Sequence, residues 1–105
     1  MSVVFANVVF TNDTGIKIPV TIEAPIGTVA YGPVDVDGNQ KVNMPINKQN
    51  CLSVRVVVTD RDHGASQDFL VANSGTGRPS YFETLEVQFD VGDITGSATI
   101  RTGDY

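Results

Sequence analysis

Apolar and polar residues alternate along most of this chain. Over residues 16–23, Ile16, Ile18, Val20 and Ile22 fall on one side, and Lys17, Thr21 and Glu23 on the other. A period of two is the mark of a strand with one face buried. Pro19 falls on the polar side and has no amide to donate, which predicts an edge strand. Leu52, Val54, Val56 and Val58 alternate with Ser53 and Arg55, and Leu85, Val87, Phe89 and Val91 with Thr84, Glu86 and Gln88. Ala98 and Ile100 continue the pattern near the end. The first stretch differs: Val4, Ala6, Val8 and Phe10 make one apolar face, while Val3, Phe5 and Val9 nearly fill the other. Such a strand is either central and covered, or part of a subunit interface through residues 3–10. Nowhere do apolar residues recur at i, i+3 and i+4 for long enough to make a helix of three turns.

These patterns predict strands over 2–10, 16–23, 28–35, 40–46, 51–59, 66–72, 80–90 and 96–102. The third is the least regular, because Gly32 and Pro33 interrupt it. Asp37, Gly38 and Asn39 tolerate positive φ and mark a turn between two alternating runs. Ten glycines and five prolines punctuate the chain. The expected fold is all-β: a single-domain antiparallel β-sandwich of about eight strands, immunoglobulin-like or jelly-roll-like, over residues 1–105. A chain of 105 residues suits one domain. At that size about 60–70% of the unfolded surface can be buried, enough to fold without staples.

Composition narrows the partners. Hydrophobic residues make up 41% and charged residues 18%, which argues against disorder. The net charge of −5 repels phosphate backbones and anionic lipid, so neither nucleic acid nor a membrane surface is expected. Cys51 is the only cysteine, so no internal disulfide forms. The opening residues lack a basic region ahead of their apolar stretch and do not read as a signal peptide. A cytoplasmic protein is the expectation; secretion without a cleaved signal, or a chain whose signal has been removed, would read the same. The glycosylation sequon at Asn12 to Thr14 has no secretory context to support it.

The aspartates carry the one suggestive pattern. If each strand crosses the whole sandwich, successive strands run in opposite directions, and alternate loops gather at opposite ends. Asp13, Asp35, Asp37, Asp60, Asp62, Asp90 and Asp93, seven of nine aspartates, then share one end. Crowded carboxylates must be solvated, paired, protonated or bound to a cation. Calcium takes six to eight oxygens in flexible geometry, so Asp35, Asp37, Asp60, Asp62, Asp90 and Asp93 form the candidate calcium site. Turn chemistry explains the same residues without metal, since Asp bonds its own backbone and tolerates the left-handed region. Neither Asp-x-Asp stretch matches the twelve-residue calcium loop that ends in glutamate.

Catalysis finds little support. His63, the only histidine, follows one end of the strand that Cys51 begins, about 30 Å away in extended chain, so the two cannot pair as base and nucleophile. Cys51 reads as a small buried hydrophobe. Ser66 lies near His63 without a nucleophile elbow, and one histidine with a distant cysteine makes no zinc site. At the opposite end, residues 73–82 form the longest loop; Gly75, Gly77 and Arg78 suit an anion only weakly, and Tyr31 and Tyr81 are few for a sugar platform. The expected function is a non-enzymatic binding or interaction module with an acidic, calcium-binding end. The alternative is a structural protein that oligomerises through its apolar N-terminal strand, and the third reading is a small hydrolase using His63 and neighbouring aspartates.

Overall fold

A computed structural model describes residues 5–49, 51–60, 62, 64–71 and 80–102. Eight strands follow in order: β1 (Phe5–Asn12), β2 (Ile18–Glu23), β3 (Val29–Val36), β4 (Lys41–Gln49), β5 (Ser53–Val58), β6 (Ala65–Leu70), β7 (Ser80–Asp90) and β8 (Asp93–Thr102). No helix occurs among the described residues. The strands form two four-stranded sheets, β4-β1-β7-β8 and β3-β2-β5-β6, packed as a β-sandwich. Each of the eight predicted strands is present, with ends moved by a few residues.

Alternation explains the interior. Val8 and Phe10 of β1, Ile18, Val20 and Ile22 of β2, Val54, Val56 and Val58 of β5, and Leu85, Val87 and Phe89 of β7 are all buried in one core. Successive side chains of a strand point to opposite faces, so every second residue reaches this layer. Fully burying an aliphatic or aromatic side chain of this kind contributes about 1.5–3 kcal/mol.

Four expectations need correction. First, β2 is central, flanked by β3 and β5, although Pro19 predicted an edge. The Pro19 carbonyl accepts the Thr59 amide just past the β5 ladder, so the missing proline donor falls at the ladder's end and not inside it. Second, not every pair is antiparallel: β1 runs parallel to β7 over Asn7–Asn12 against Thr84–Phe89. A parallel neighbour requires a long crossover, and the intervening strands supply it. Third, Ile16, Leu52, Val91, Ala98 and Ile100 are exposed, against the expected inward face. Ile16 and Leu52 precede their strands, Val91 sits at a hairpin tip, and β8 beyond Ile94 lies at the sheet edge, where the Phe69 ring of β6 meets it at Gly96 but leaves Ala98 and Ile100 exposed. Cys51, not Leu52, enters the core. Fourth, Gly32 and Pro33 do not break β3. A bulge absorbs them: Val20 pairs with Val34 but Ile22 with Tyr31. Gly32 has φ of +89°, and a Cβ there would lie 2.4 Å from the Val20 carbonyl oxygen, so glycine is required.

β1 is a central strand, with β4 on one side and β7 on the other. Its backbone edges are therefore already paired, Val8 and Phe10 are buried, and Val9 is half-buried on the outer face. Val3 and Val4 lie outside the described residues.

Candidate functional site

The end of the sandwich that gathers the aspartates is organised by a buried amide. Asn12 closes β1 and is wholly buried. Its Nδ2 lies 2.8 Å from the Ile16 carbonyl, 3.2 Å from that of Val36 and 3.1 Å from that of Asp37. Its Oδ1 accepts the Thr14 amide at 3.0 Å and the Thr14 hydroxyl at 2.6 Å. One side chain thus ties the β1–β2 loop to the β3–β4 turn. Asn39 takes φ of 59° in that turn, and its amide donates to the Thr14 carbonyl. Gly38 packs so closely on Gly15 that a Cβ would lie 2.5 Å from the Gly15 carbonyl carbon.

The backbone contacts fix which loops share this end. Asn12 and Asp13 donate to Gln40 and Phe89, and Thr59 donates to Pro19. The β1–β2, β3–β4, β5–β6 and β7–β8 connections therefore lie together, and with them the seven aspartates. Gathering at one end is not convergence. The Asp13 carboxylate accepts Gln88 Nε2. Asp37 lies 3.7 Å from Lys17 Nζ, both well exposed. Asp60 Oδ2 accepts the Asp62 amide at 3.3 Å, and Asp90 Oδ1 accepts the Val91 amide at 3.0 Å. Asp35 lies on β3 opposite Pro19, and Asp93 opposite Asp90 across the hairpin. Among the described residues, no three of His, Cys, Asp and Glu come together closely enough to hold a metal ion. Arg61 and His63 lie outside the described residues.

At the other end, Cys51 is 4% exposed and its Sγ lies 3.2 Å from the Ser53 carbonyl. Burial pushes its thiol pKa up, against a smaller lowering by the Ser53 hydrogen bond. Tyr81 is buried, so it presents no ring face for stacking. Gly75, Gly77 and Arg78 lie outside the described residues.

The outer face of the β3-β2-β5-β6 sheet carries a charged ladder. Arg55 Nε and Nη2 lie 2.7 and 3.2 Å from the two Asp68 carboxylate oxygens, and Nη1 lies 3.6 Å from Glu23 Oε1. The hydrogen bond from Arg55 holds the Asp68 carboxyl below its ordinary pKa. A depression beside the ladder is bordered by Ser66, Gln67 and Val57. A second depression, of about 340 Å³, lies on the outer face of the other sheet among Thr11, Lys41, Glu86, Gln88, Thr95 and Ser97. Both are surface hollows between side chains of paired strands.

The sheet edges differ sharply. β3 carries Pro33 and two register shifts, and β4 carries Pro45 and a shift opposite β1. These are the devices that stop a strand from accepting another. β6 is six residues long. β8 is ten residues long, has no proline, and from Ile94 to Ile100 has no charge. No protein family, curated protein or solved structure matches this chain.

Proposed function

We propose that the chain is a non-enzymatic interaction module that receives another strand along β8. One observation carries this reading: two edges of the sandwich are blocked by proline and bulges, while the longest edge strand, β8, has no proline and no charge from Ile94 to Ile100, and its one register shift lies on the β7 side, between Phe82 and Thr84. Exposed edges of this kind pair with other chains, the backbone giving affinity and alternate side chains giving specificity. The non-enzymatic part draws support from the hollow beside Arg55, where the carboxylates of Glu23 and Asp68 are both tied to that guanidinium. The test is a capped synthetic peptide of residues 93–101 added to the protein. Saturable binding to the wild type, lost in Ala98→Pro, supports the reading; no binding overturns it.

A second reading keeps the acidic end as a calcium site, because three connections and the strand ends beside them bring Asp35, Asp37, Asp60, Asp62, Asp90 and Asp93 to one end of the fold. Ligand at 100 times its dissociation constant stabilises a fold by about 2.7 kcal/mol. In a domain of this size that raises the melting temperature by more than about 10 °C. An unchanged melting curve in millimolar calcium leaves these residues as turn formers.

A further inference from the structure

The backbone of β8 has a definite free side. The Asp13 amide donates to the Phe89 carbonyl, so Phe89, and with it Val87, directs its backbone groups toward β1. Glu86, Gln88 and Asp90 therefore face β8, where their partners are Ser97, Thr95 and Asp93. In an antiparallel ladder these residues are consumed by β7, and the intervening ones turn outward. Ile94, Gly96, Ala98 and Ile100 thus point their N–H and C=O groups off the edge of the sheet. Among the described residues, β8 pairs with no strand on that side.

The sequence along that edge reads Ile94-Thr95-Gly96-Ser97-Ala98-Thr99-Ile100. It is nearly a palindrome about Ser97. Read in reverse, isoleucine replaces isoleucine, threonine replaces threonine, and glycine exchanges with alanine. A strand of this pattern is complementary to itself when turned around. A two-fold interface demands that property, because the same patch must serve both partners.

Resting on the open-edge reading, we propose that the strand received by β8 is β8 of a second copy of this chain, antiparallel and centred on Ser97. The register is fixed by which backbone groups are free. Ile94 meets Ile100 of the second copy, and Gly96 meets Ala98; these are the outward-facing residues, so each pair can exchange hydrogen bonds. Thr95 meets Thr99, and Ser97 meets Ser97, in the intervening pairs where side chains lie closer. A shift by one residue would set an outward-facing residue against one already bonded to β7.

Charge agrees with the same register. It places Asp93 opposite Arg101 of the second copy, at both ends of the pairing. Within its own chain Asp93 faces Asp90, a like-charge pair that disfavours the isolated hairpin. The second copy supplies the opposite charge on the other side. Exposure agrees as well. Ile100 is 41% exposed although its alternation with Thr99 puts it on the side of the core. In the pair it lies across from an isoleucine, a favourable cross-strand contact. The product is one continuous sheet of eight strands with β8 and its copy at the centre.

The experiment reads mass and register together. Sedimentation of the full chain up to millimolar concentration should pass from the 11.2 kDa monomer to twice that mass. Ala98→Pro, which removes an outward amide, should stay monomeric at every concentration. Asp93→Arg should weaken association by about tenfold or more, by setting like charges across the interface, and adding Arg101→Asp should restore it. Register is read by cysteine capture with oxidised glutathione. Ser97→Cys should link to itself, since non-hydrogen-bonded partners stand about 4.5 Å apart. Thr95→Cys alone should not, yet should link when mixed with Thr99→Cys. A monomer at all concentrations that still binds the 93–101 peptide overturns self-pairing and leaves the open-edge reading standing. A monomer that binds no peptide overturns both. A dimer indifferent to Ala98→Pro, or linked without these positions, overturns the β8 interface.

Discussion

At the scale of single residues, the most consequential side chain is Asn12. As the first residue of a glycosylation sequon it draws attention as a surface acceptor, yet it is wholly buried and its amide group reaches three carbonyls. Sugar cannot be attached to that nitrogen without unfolding the β1–β2 corner. Asn12→Ala would strand the buried Val36 carbonyl and the part-buried carbonyls of Ile16 and Asp37; a buried polar group left unpaired costs about 1–3 kcal/mol. The expected loss is about 3 kcal/mol in urea unfolding, and a change below about 0.5 kcal/mol would contradict the role. Cys51 is the second residue with a clear expectation. Its thiol is buried and its pKa raised by burial, so the reactive thiolate is scarce and hard to reach. Native labelling with a thiol reagent should be slow and should become fast in urea.

At the scale of elements, the Arg55 ladder and the Gly32 bulge make opposite points. Glu23, Arg55 and Asp68 stand in register on three adjacent strands, so pairing places their charges side by side. Asp68 is held below its ordinary pKa, chiefly by the hydrogen bond from Arg55. A carboxyl depressed in the folded state stabilises the fold above its unfolded pKa of about 3.9 and loses that effect as pH falls through the folded value. Asp68→Asn should therefore melt below the wild type at neutral pH and level with it in strong acid. The difference should be small, because water screens an exposed ion pair. Gly32 matters more than its exposure suggests. Gly32→Ala meets both a positive φ and the Val20 carbonyl, and should cost more than about 1 kcal/mol. Loss of amide protection confined to β3 and its β2 neighbours would mark the bulge as the cause.

At the scale of the whole molecule, charge is distributed unevenly. Four connections and the strand ends beside them carry seven aspartates to one end, and several of these already have partners: Asp60 the Asp62 amide, Asp90 the Val91 amide, Asp13 the Gln88 side chain. The remaining repulsion is a field effect, screened by salt over about 10 Å at 0.1 M. Asp60→Asn with Asp62→Asn keeps the turn acceptor and removes two charges. The double variant should melt above the wild type at low salt, and the gain should shrink in concentrated salt. If the gain persists in salt, the cause is local and not the shared field. Because the four connections lie together by strand parity, this end of the molecule could be inferred by counting. Whether its carboxylates converge could not, because a turn aspartate chooses between its own backbone and a distant ligand only when the loops are placed.

The strands themselves follow from local rules. Alternation of Ile18, Val20 and Ile22, or of Leu85, Val87 and Phe89, reflects backbone geometry that holds wherever a strand lies. Eight strands, their buried faces, the buried thiol of Cys51 and the gathering of aspartates were legible on that basis. The Ser97 palindrome was legible too, but it acquires meaning only once β8 is known to be an edge. Neighbour choice was not legible, because pairing joins residues remote in sequence: β1 lies parallel to β7, and Pro19 sits in a central strand because β5 ends opposite it. Nor was coverage legible at the ends of strands. Leu52, Val91, Ala98 and Ile100 keep the alternating pattern yet stay exposed, because a face is buried only where another element lies across from it. Local periodicity determines which way a side chain points, and tertiary packing decides whether anything is there to meet it.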